Sequence, residues 1–507
     1  MKVFTTLILL FSFIYCYAQP VVEFDINPNN LKAEVKTLSG YKFQGRFPGN
    51  KNHAEVISYI ENSFKENKLQ QFQSSYLQPF NLYLLSNQEF LLKIKNKTYR
   101  EDDQLFNFGF EFLNNFKKAS IVFGGDGSPQ FLNHIEARGN LVVIFKKNIH
   151  DNSKESYYLR RKDALGIIVV AENDNGLSLE KRTSENIIKL HSIRSEMPDT
   201  SEYFLTIYAS ERRIRKILGC KKKLIDQSIA EKNPALIPAV TASVLATTQI
   251  QNTPTANVIG YIPGNEHPDE CVIVSAHYDH LQPEGSIYFP GADDNASGVT
   301  GMIAIMNAIQ SSGIPPKRTI VFAAFSAEEY GILGSGYYIN HPLFPLEQTK
   351  VCVNLDMIGR FDEKHKNNKD FIYLAGTDRS PNLQELIIQS SQNGEISIDT
   401  SQNNSYDLTN PFRRSDHINF WEKDIPSAFF ISGLHDDYHK PTDTYEKLDY
   451  IVMSKRVKFF SNVVWKLANT DQQFLINKNP GTKHEYSILE KLDQRMDSIC
   501  NKYYGDK

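Results

Sequence analysis

Residues 271–298, CVIVSAHYDHLQPEGSIYFPGADDNASG, constrain this chain more than any other stretch. Val272, Ile273 and Val274 form an apolar run that reads as a buried strand, and it delivers His277, Asp279 and His280 at its end. A loop rich in glycine and proline follows. Then come Ala292-Asp293-Asp294-Asn295 and a small-residue turn into an apolar helix from about Val299. In open α/β sheets the functional groups gather outside the carboxyl ends of the strands. An imidazole and several carboxylates crowded there would repel one another unless a cation neutralised them, so the stretch predicts a metal site.

The same rhythm runs on through the second half of the chain. Predicted strands at 256–262, 270–276, 318–325, 350–356, 370–376 and 426–432 alternate with helical patterns at 299–310, just after Glu329, at 381–392 and at 447–468. Near-continuous apolar strands joined by helical crossovers predict an α/β fold. Its central sheet should be mostly parallel and flanked by helices on both faces.

Each chemistry-bearing residue falls at one end of a predicted strand. His277 and Asp279 follow the first, with Asp294 in the next loop; Glu328-Glu329 close 318–325, Asp356 closes 350–356, and His439 lies past 426–432. Two imidazoles and several carboxylates suit zinc held with an open position. A shared carboxylate would hold two ions roughly 3.5–4 Å apart around one water. Glu328-Glu329 alone would also fit an acidic helix start. Ligand-type residues at the other strand ends favour metal, with one glutamate binding and its neighbour moving protons.

These residues resemble the secreted di-zinc exopeptidases that include bacterial leucyl-type aminopeptidases and the glutamate carboxypeptidase II group. The resemblance is carried by HYD (277–279), GADDNASG (291–298), SAEEYG (326–331), NLDMIG (354–359), RRSDH (413–417) and YHKPTDT (438–444), in family order over about 250–468. GYKFQGRFPGN resembles the family's N-terminal segment. The resemblance implies that His277, Asp294 and Asp356 hold one zinc, and that Asp294 bridges to a second held by Glu329 and His439. It implies Glu328 as the general base, Asp279 as the residue orienting His277, and Tyr438 as a group steadying the tetrahedral oxyanion. His280 is expected to line the site or to support a ligand from behind, Asp416 and His417 to border the substrate pocket, and Asp443 to support the His439 loop. Arg413 and Arg414 are expected in ion pairs, and Gly45-Arg46 in ordinary turn chemistry.

Around this core, 19–107 and 241–470 are read as the catalytic domain. Within 19–107, Val56, Ile57, Ile60 and Phe64 mark a helix face, and stretches such as 89–94 look like hairpins at a sheet edge. Residues 108–240 read as an inserted small β-rich domain. Its GNLVVIF and DALGIIVV are similar to the protease-associated domain of many family members, and its lysine and arginine runs (160–162, 221–223) read as solvated faces. Residues 1–18 read as a signal peptide and 471–507 as a C-terminal helical appendage, so the protein is expected to be exported. Cys16, in that leader, follows a tyrosine that fits a lipoprotein signal poorly. No other stretch is apolar for long enough to form a stable membrane span, and a net charge of −3 argues against nucleic acid as a partner. Cys271 and Cys352 sit in apolar strands and read as small buried hydrophobes, while a disulfide through Cys220 or Cys500 stays open. The sequon at Asn295 lies inside the metal motif and is expected to be without meaning.

The function expected is a zinc aminopeptidase acting on peptide substrates through two co-catalytic zinc ions and a hydroxide they share. The alternatives are a carboxypeptidase of the same family, a single-zinc glutaminyl cyclase and a non-catalytic ectodomain. Substrate preference and oligomeric state do not follow from the sequence.

Overall fold

The computed structural model describes residues 22–146, 152–171, 176–181, 192–200, 203–391, 394–403 and 411–477. The expected leader, Cys16 and Cys500, and the expected final helix lie outside these residues. Among the described residues, no helix is long and apolar enough to cross a membrane.

The strand His267–His277 lies at the centre of the catalytic sheet. It pairs in parallel with Arg318–Phe325 on one side and with Thr349–Leu355 on the other. Beyond Thr349–Leu355 come Ser427–Ile431 in parallel and Phe371–Ala375 antiparallel. All eight residues of Arg318–Phe325 are buried. Such a strand needs apolar side chains on both faces, which is why its sequence does not alternate.

Helices supply both covers. Gly298–Ser311, Tyr450–Asn469, Pro28–Leu38 and His53–Glu66 share one core with Val272, Val274, Ile320 and Phe322. On the other face Tyr338 and Phe420, from helices Leu333–Asn340 and His417–Glu422, pack against Ile273, Val321 and Phe325. Each such side chain contributes about 1.5–3 kcal/mol by leaving water. Helix His53–Glu66 buries Val56, Ile60 and Phe64 as its sequence pattern predicts. Helix Pro28–Leu38 was not expected. Its signals are local: the Asn27 side chain accepts the Asn29 N–H at 2.8 Å, with proline at the first helical position.

The expected edge hairpins are instead part of a long ribbon. Leu77–Ile94 pairs antiparallel with Val240–Ile262 from Leu77–Val258 to Lys93–Ser243, and only its last residues form a hairpin with Lys97–Arg100. Val240–Ile262 also borders Arg318–Phe325, so the ribbon grows out of the catalytic sheet. At its far end Leu113–Phe123, Leu141–Lys146, Gly166–Ala171 and Leu205–Ser210 continue the sheet in parallel. The core there takes in Phe90, Leu92, Ile94, Val244 and Ala246 from the ribbon as well as Ile121, Val143 and Ile168 from the 108–240 segment. The lysine run at 221–223 leads into a helix, Lys222–Ala230, which buries Ile225 beneath its exposed lysines. Cys271 and Cys352 are fully buried, and Cys220 has no disulfide partner among the described residues.

Candidate metal centre

Parallel register brings the strand ends level. His277 is the partner of Phe325, and Ser275 is the partner of Asn354. Glu328-Glu329 and Asp356 therefore emerge at the same edge as His277. Asp294 comes from the turn before helix Gly298–Ser311, and His439 from the loop after Ser427–Ile431. Three residues of the site take left-handed backbone: Ala327 just before Glu328, Met357 just after Asp356, and His439 itself. Such conformations cost free energy and gather where surrounding structure over-determines them for function.

The donors converge around Asp294. Its Oδ1 lies 3.5 Å from Nε2 of His277, and its Oδ2 lies 3.1 Å from Nε2 of His439. Nε2 of His277 is also 3.4 Å from Asp356 and 3.8 Å from Glu328. Nε2 of His439 is 3.0 Å from Glu329. His277, Glu328 and Asp356 form one buried set, and His280, Asp294 and Glu329 a second; within each, the donor atoms lie within 4.8 Å of one another. Nitrogen and carboxylate donors in two abutting sets, with one carboxylate turned to both, fit a pair of zinc ions.

The turns that carry these donors are tied to one another through the backbone. The Asn295 side chain donates to the Leu355 carbonyl at 3.0 Å and accepts from Gly298 and Met357, locking the Asp294 turn to the Asp356 strand end. It is fully buried, which settles the sequon as a coincidence of letters. Gly298 has to be glycine: a Cβ there would stand 2.2 Å from Asn295 Oδ1 and 2.4 Å from the Leu355 oxygen. Gly291 combines φ of +53° with a Cβ position 2.5 Å from the His280 ring.

Burial and crowding set the charges. Burial pushes the Glu328 carboxyl well above the usual range against the pull of His277, with Glu329 and Asp356 adding to the rise. Burial likewise raises Asp356, and lifts Asp279 to about 7 and Asp416 to about 6. For Glu329 the neighbouring imidazoles of His439 and His280 overcome burial and hold it well below the usual range. Burial would lower His439, but Glu329 and Asp294 bring it up to about 11. The protein alone leaves this concentration of acids poorly compensated, as expected of a cation site.

Several expectations are corrected or sharpened here. Gly45-Arg46 is no ordinary turn. Arg46 is fully buried, and its guanidinium donates to the carbonyls of Tyr278 (2.7 Å), Leu38 (3.0 Å), Pro290 (2.8 Å) and Gly291 (2.9 Å). Asp416 and His417 do not border an open pocket: both are fully buried, His417 stacked on Phe429 and Asp416 within electrostatic reach of His277 and Asp356. His280 stands behind a ligand candidate, its Nδ1 2.5 Å from Glu329 Oε1. Asp279 accepts the Glu328 N–H at 3.0 Å, and Nδ1 of His277 stands 3.2 Å from the Asp279 main-chain oxygen and 3.8 Å from its carboxylate. Asp443 accepts the N–H groups of Asp293 (3.0 Å) and Asp294 (3.2 Å), so it supports the bridging turn as well as its own loop. Arg413 pairs with Glu422 at 2.8 Å. Tyr438 stacks on His439 with ring centres 3.8 Å apart. A buried arginine after a Gly in a turn was the one sequence signal that could have pointed to the Arg46 clamp.

The fold is α/β, with two groups of candidate metal donors at the carboxyl ends of its parallel strands. Residues 257–464 match the sequence profile of peptidase family M28. The stretch is 34% identical over 208 residues to aminopeptidase YwaD of Bacillus subtilis, which covers 39% of this chain and 41% of YwaD. It is 33% identical over 121 residues to a probable leucine aminopeptidase 2 of Aspergillus fumigatus, covering 24% of this chain and 22% of that protein. The match therefore takes in less than half the length of either relative. Over most of the chain the fold is that of the aminopeptidase from Aneurinibacillus sp. strain AM-1. The TM-score is 0.57 at 18% identity, covering 89% of this chain and 96% of the other. A zinc aminopeptidase from Bacillus subtilis gives a TM-score of 0.53 at 19% identity, covering 89% and 97%.

Proposed function

We propose that the protein is an exported zinc aminopeptidase that removes N-terminal residues from peptides with the help of two zinc ions. The observation that carries this reading is the placement of Asp294, one oxygen toward His277 and the other toward His439. One ion would be held by His277, Asp356 and Asp294, and the other by Glu329, His439 and Asp294. Bound zinc would polarise the scissile carbonyl and bring the pKa of a water down to roughly 7.

The side chains supply the remaining chemistry. Glu328 takes the proton from the attacking water and returns it to the leaving amine nitrogen, a task suited to a carboxyl whose pKa is raised by burial. Asp279 holds Glu328 in place through its main-chain N–H. The Tyr438 hydroxyl stays protonated, raised first by burial and then by Asp294 and Glu329, and donates to the carbonyl oxygen as negative charge grows there. The mature protein would act outside the cytoplasm once residues 1–18 are removed.

A carboxypeptidase would need a cation for the substrate's terminal carboxylate. The pairing of Arg413 with Glu422 takes one of the two candidate arginines out of that role. Two groups of candidate donors likewise favour two ions over a one-zinc cyclase. The test is hydrolysis of aminoacyl-anilides by the purified mature protein, with metal content measured alongside. Chelator-sensitive release with about two zinc per chain is expected; a protein that takes up no zinc would overturn the reading.

A further inference from the structure

Asp293 precedes the bridging Asp294 and is fully buried, yet it belongs to neither donor set. Its two oxygens face different loops. Oδ1 accepts the Gly359 N–H at 2.7 Å, three residues beyond Asp356, and Oδ2 lies 3.2 Å from Nε2 of His435, four residues before His439. The His435 side chain is only 4% exposed. Its other nitrogen, Nδ1, accepts the main-chain N–H of Asp437 at 3.2 Å, which makes Nε2 the protonated donor to Asp293. The Asp437 carboxylate then reaches Arg360 at 3.1 Å, and Thr442 and Lys447 at 2.7 and 2.5 Å. Arg360 is again on the segment that leaves Asp356.

These contacts close a ring. It runs from the turn of Asp294 through His435 and Asp437 to Arg360, and from Gly359 back to Asp293. His439 is delivered by an irregular loop, with no strand register to place it, and it takes left-handed backbone. The ring supplies what the sheet does not. We propose that Asp293 and His435 are positioning residues that hold the His439 loop against the bridging turn, so that the second metal position is formed at a set distance from the first. Groups behind metal ligands commonly change affinity 10- to 100-fold when removed. Because His435 sits on the loop that carries His439, while the Asp294 turn and the Asp356 strand end stay tied to each other through Asn295, its loss should fall on one ion. The inference rests on the two-zinc reading above.

The test is a Zn2+ titration of the full mature chain, first stripped with chelator, followed by calorimetry and repeated with Co2+, whose visible absorption reports coordination. The wild-type protein is expected to take up two ions. His435→Ala should bind the first as tightly as wild type and the second roughly 10- to 100-fold more weakly. His435→Gln keeps a donor toward Asp293 and should recover part of that loss. If His435→Ala fails to fold, the Gln variant carries the same comparison against wild type. Two unchanged affinities would overturn the proposal, and so would equal weakening of both ions, the mark of a merely structural role. A wild-type protein that takes up fewer than two ions would overturn the two-zinc reading itself, whatever the variants do.

Discussion

The guanidinium of Arg46 and the carbonyl oxygen of Gly291, 245 positions apart in the chain, are joined by a hydrogen bond of 2.9 Å. With its bonds to Tyr278, Pro290 and Leu38, this places one buried cation beneath both ends of the loop between His277 and Asp294. Arg46→Met removes every one of these donors and leaves several buried carbonyls unpaired. A loss of at least about 3 kcal/mol in unfolding free energy is expected. Urea denaturation checks it, and a variant within about 1 kcal/mol of wild type would show that the clamp is dispensable.

Glu328 belongs to the first group of candidate donors but is assigned proton transfer rather than binding. Glu328→Ala is expected to lower kcat by about 10²–10⁴-fold while zinc content stays at the wild-type level. Metal analysis beside steady-state kinetics separates the two roles. Loss of zinc together with activity would move Glu328 among the ligands.

His53 gives the protein an acid-side weakness. The ring is buried between the Arg46 carbonyl oxygen, at 3.2 Å, and Thr255, with Nε2 at 2.7 Å from its hydroxyl. Burial holds its pKa at about 4, against 6.5 for the free group. Below pH 6.5 the unfolded chain therefore takes up a proton that the folded chain refuses, and stability is lost as pH falls from 6.5 toward 4. Above 6.5 this contribution is fully present. The loss should be on the order of 2–3 kcal/mol. His53→Gln should flatten that part of the profile, measured as urea midpoints at pH 7.5 and 4.5.

Removal of metal should destabilise the fold as well as stop turnover. Burial raises Glu328 and Asp356, with Glu329 and Asp356 adding to the rise of the first and Asp294 to that of the second, and zinc would relieve that crowding. A ligand bound only by the folded state adds about 2.7 kcal/mol when present at a hundred times its Kd. Chelator should lower Tm and added zinc should restore it. A Tm indifferent to both would mean that the donor sets are satisfied without metal.

Much of the catalytic half was legible because its signals are local. Buried parallel strands read as unbroken apolar runs, and ligands at strand ends read as His, Asp and Glu immediately after those runs. The ribbon was missed because Leu77–Ile94 and Val240–Ile262 each serve two cores, so neither has one consistent pattern of alternation. The burial of Asp416 and His417 was missed because a polar pair beside an apolar helix reads the same whether it faces a pocket or lies under a ligand.

The sequence by itself determined the α/β class, the strands and helices of the catalytic half, and the set of residues able to bind metal. Each of these depends on side-chain type and short spacing along the chain. Only the tertiary structure decided that Asp294 faces both imidazoles, that Arg46 clamps the metal loop, and that Asp293 and His435 tie that loop to His439. Those are contacts between segments up to 245 positions apart. They are made by donors and acceptors whose partners are mostly backbone atoms, and a backbone carbonyl looks the same at every position of a sequence.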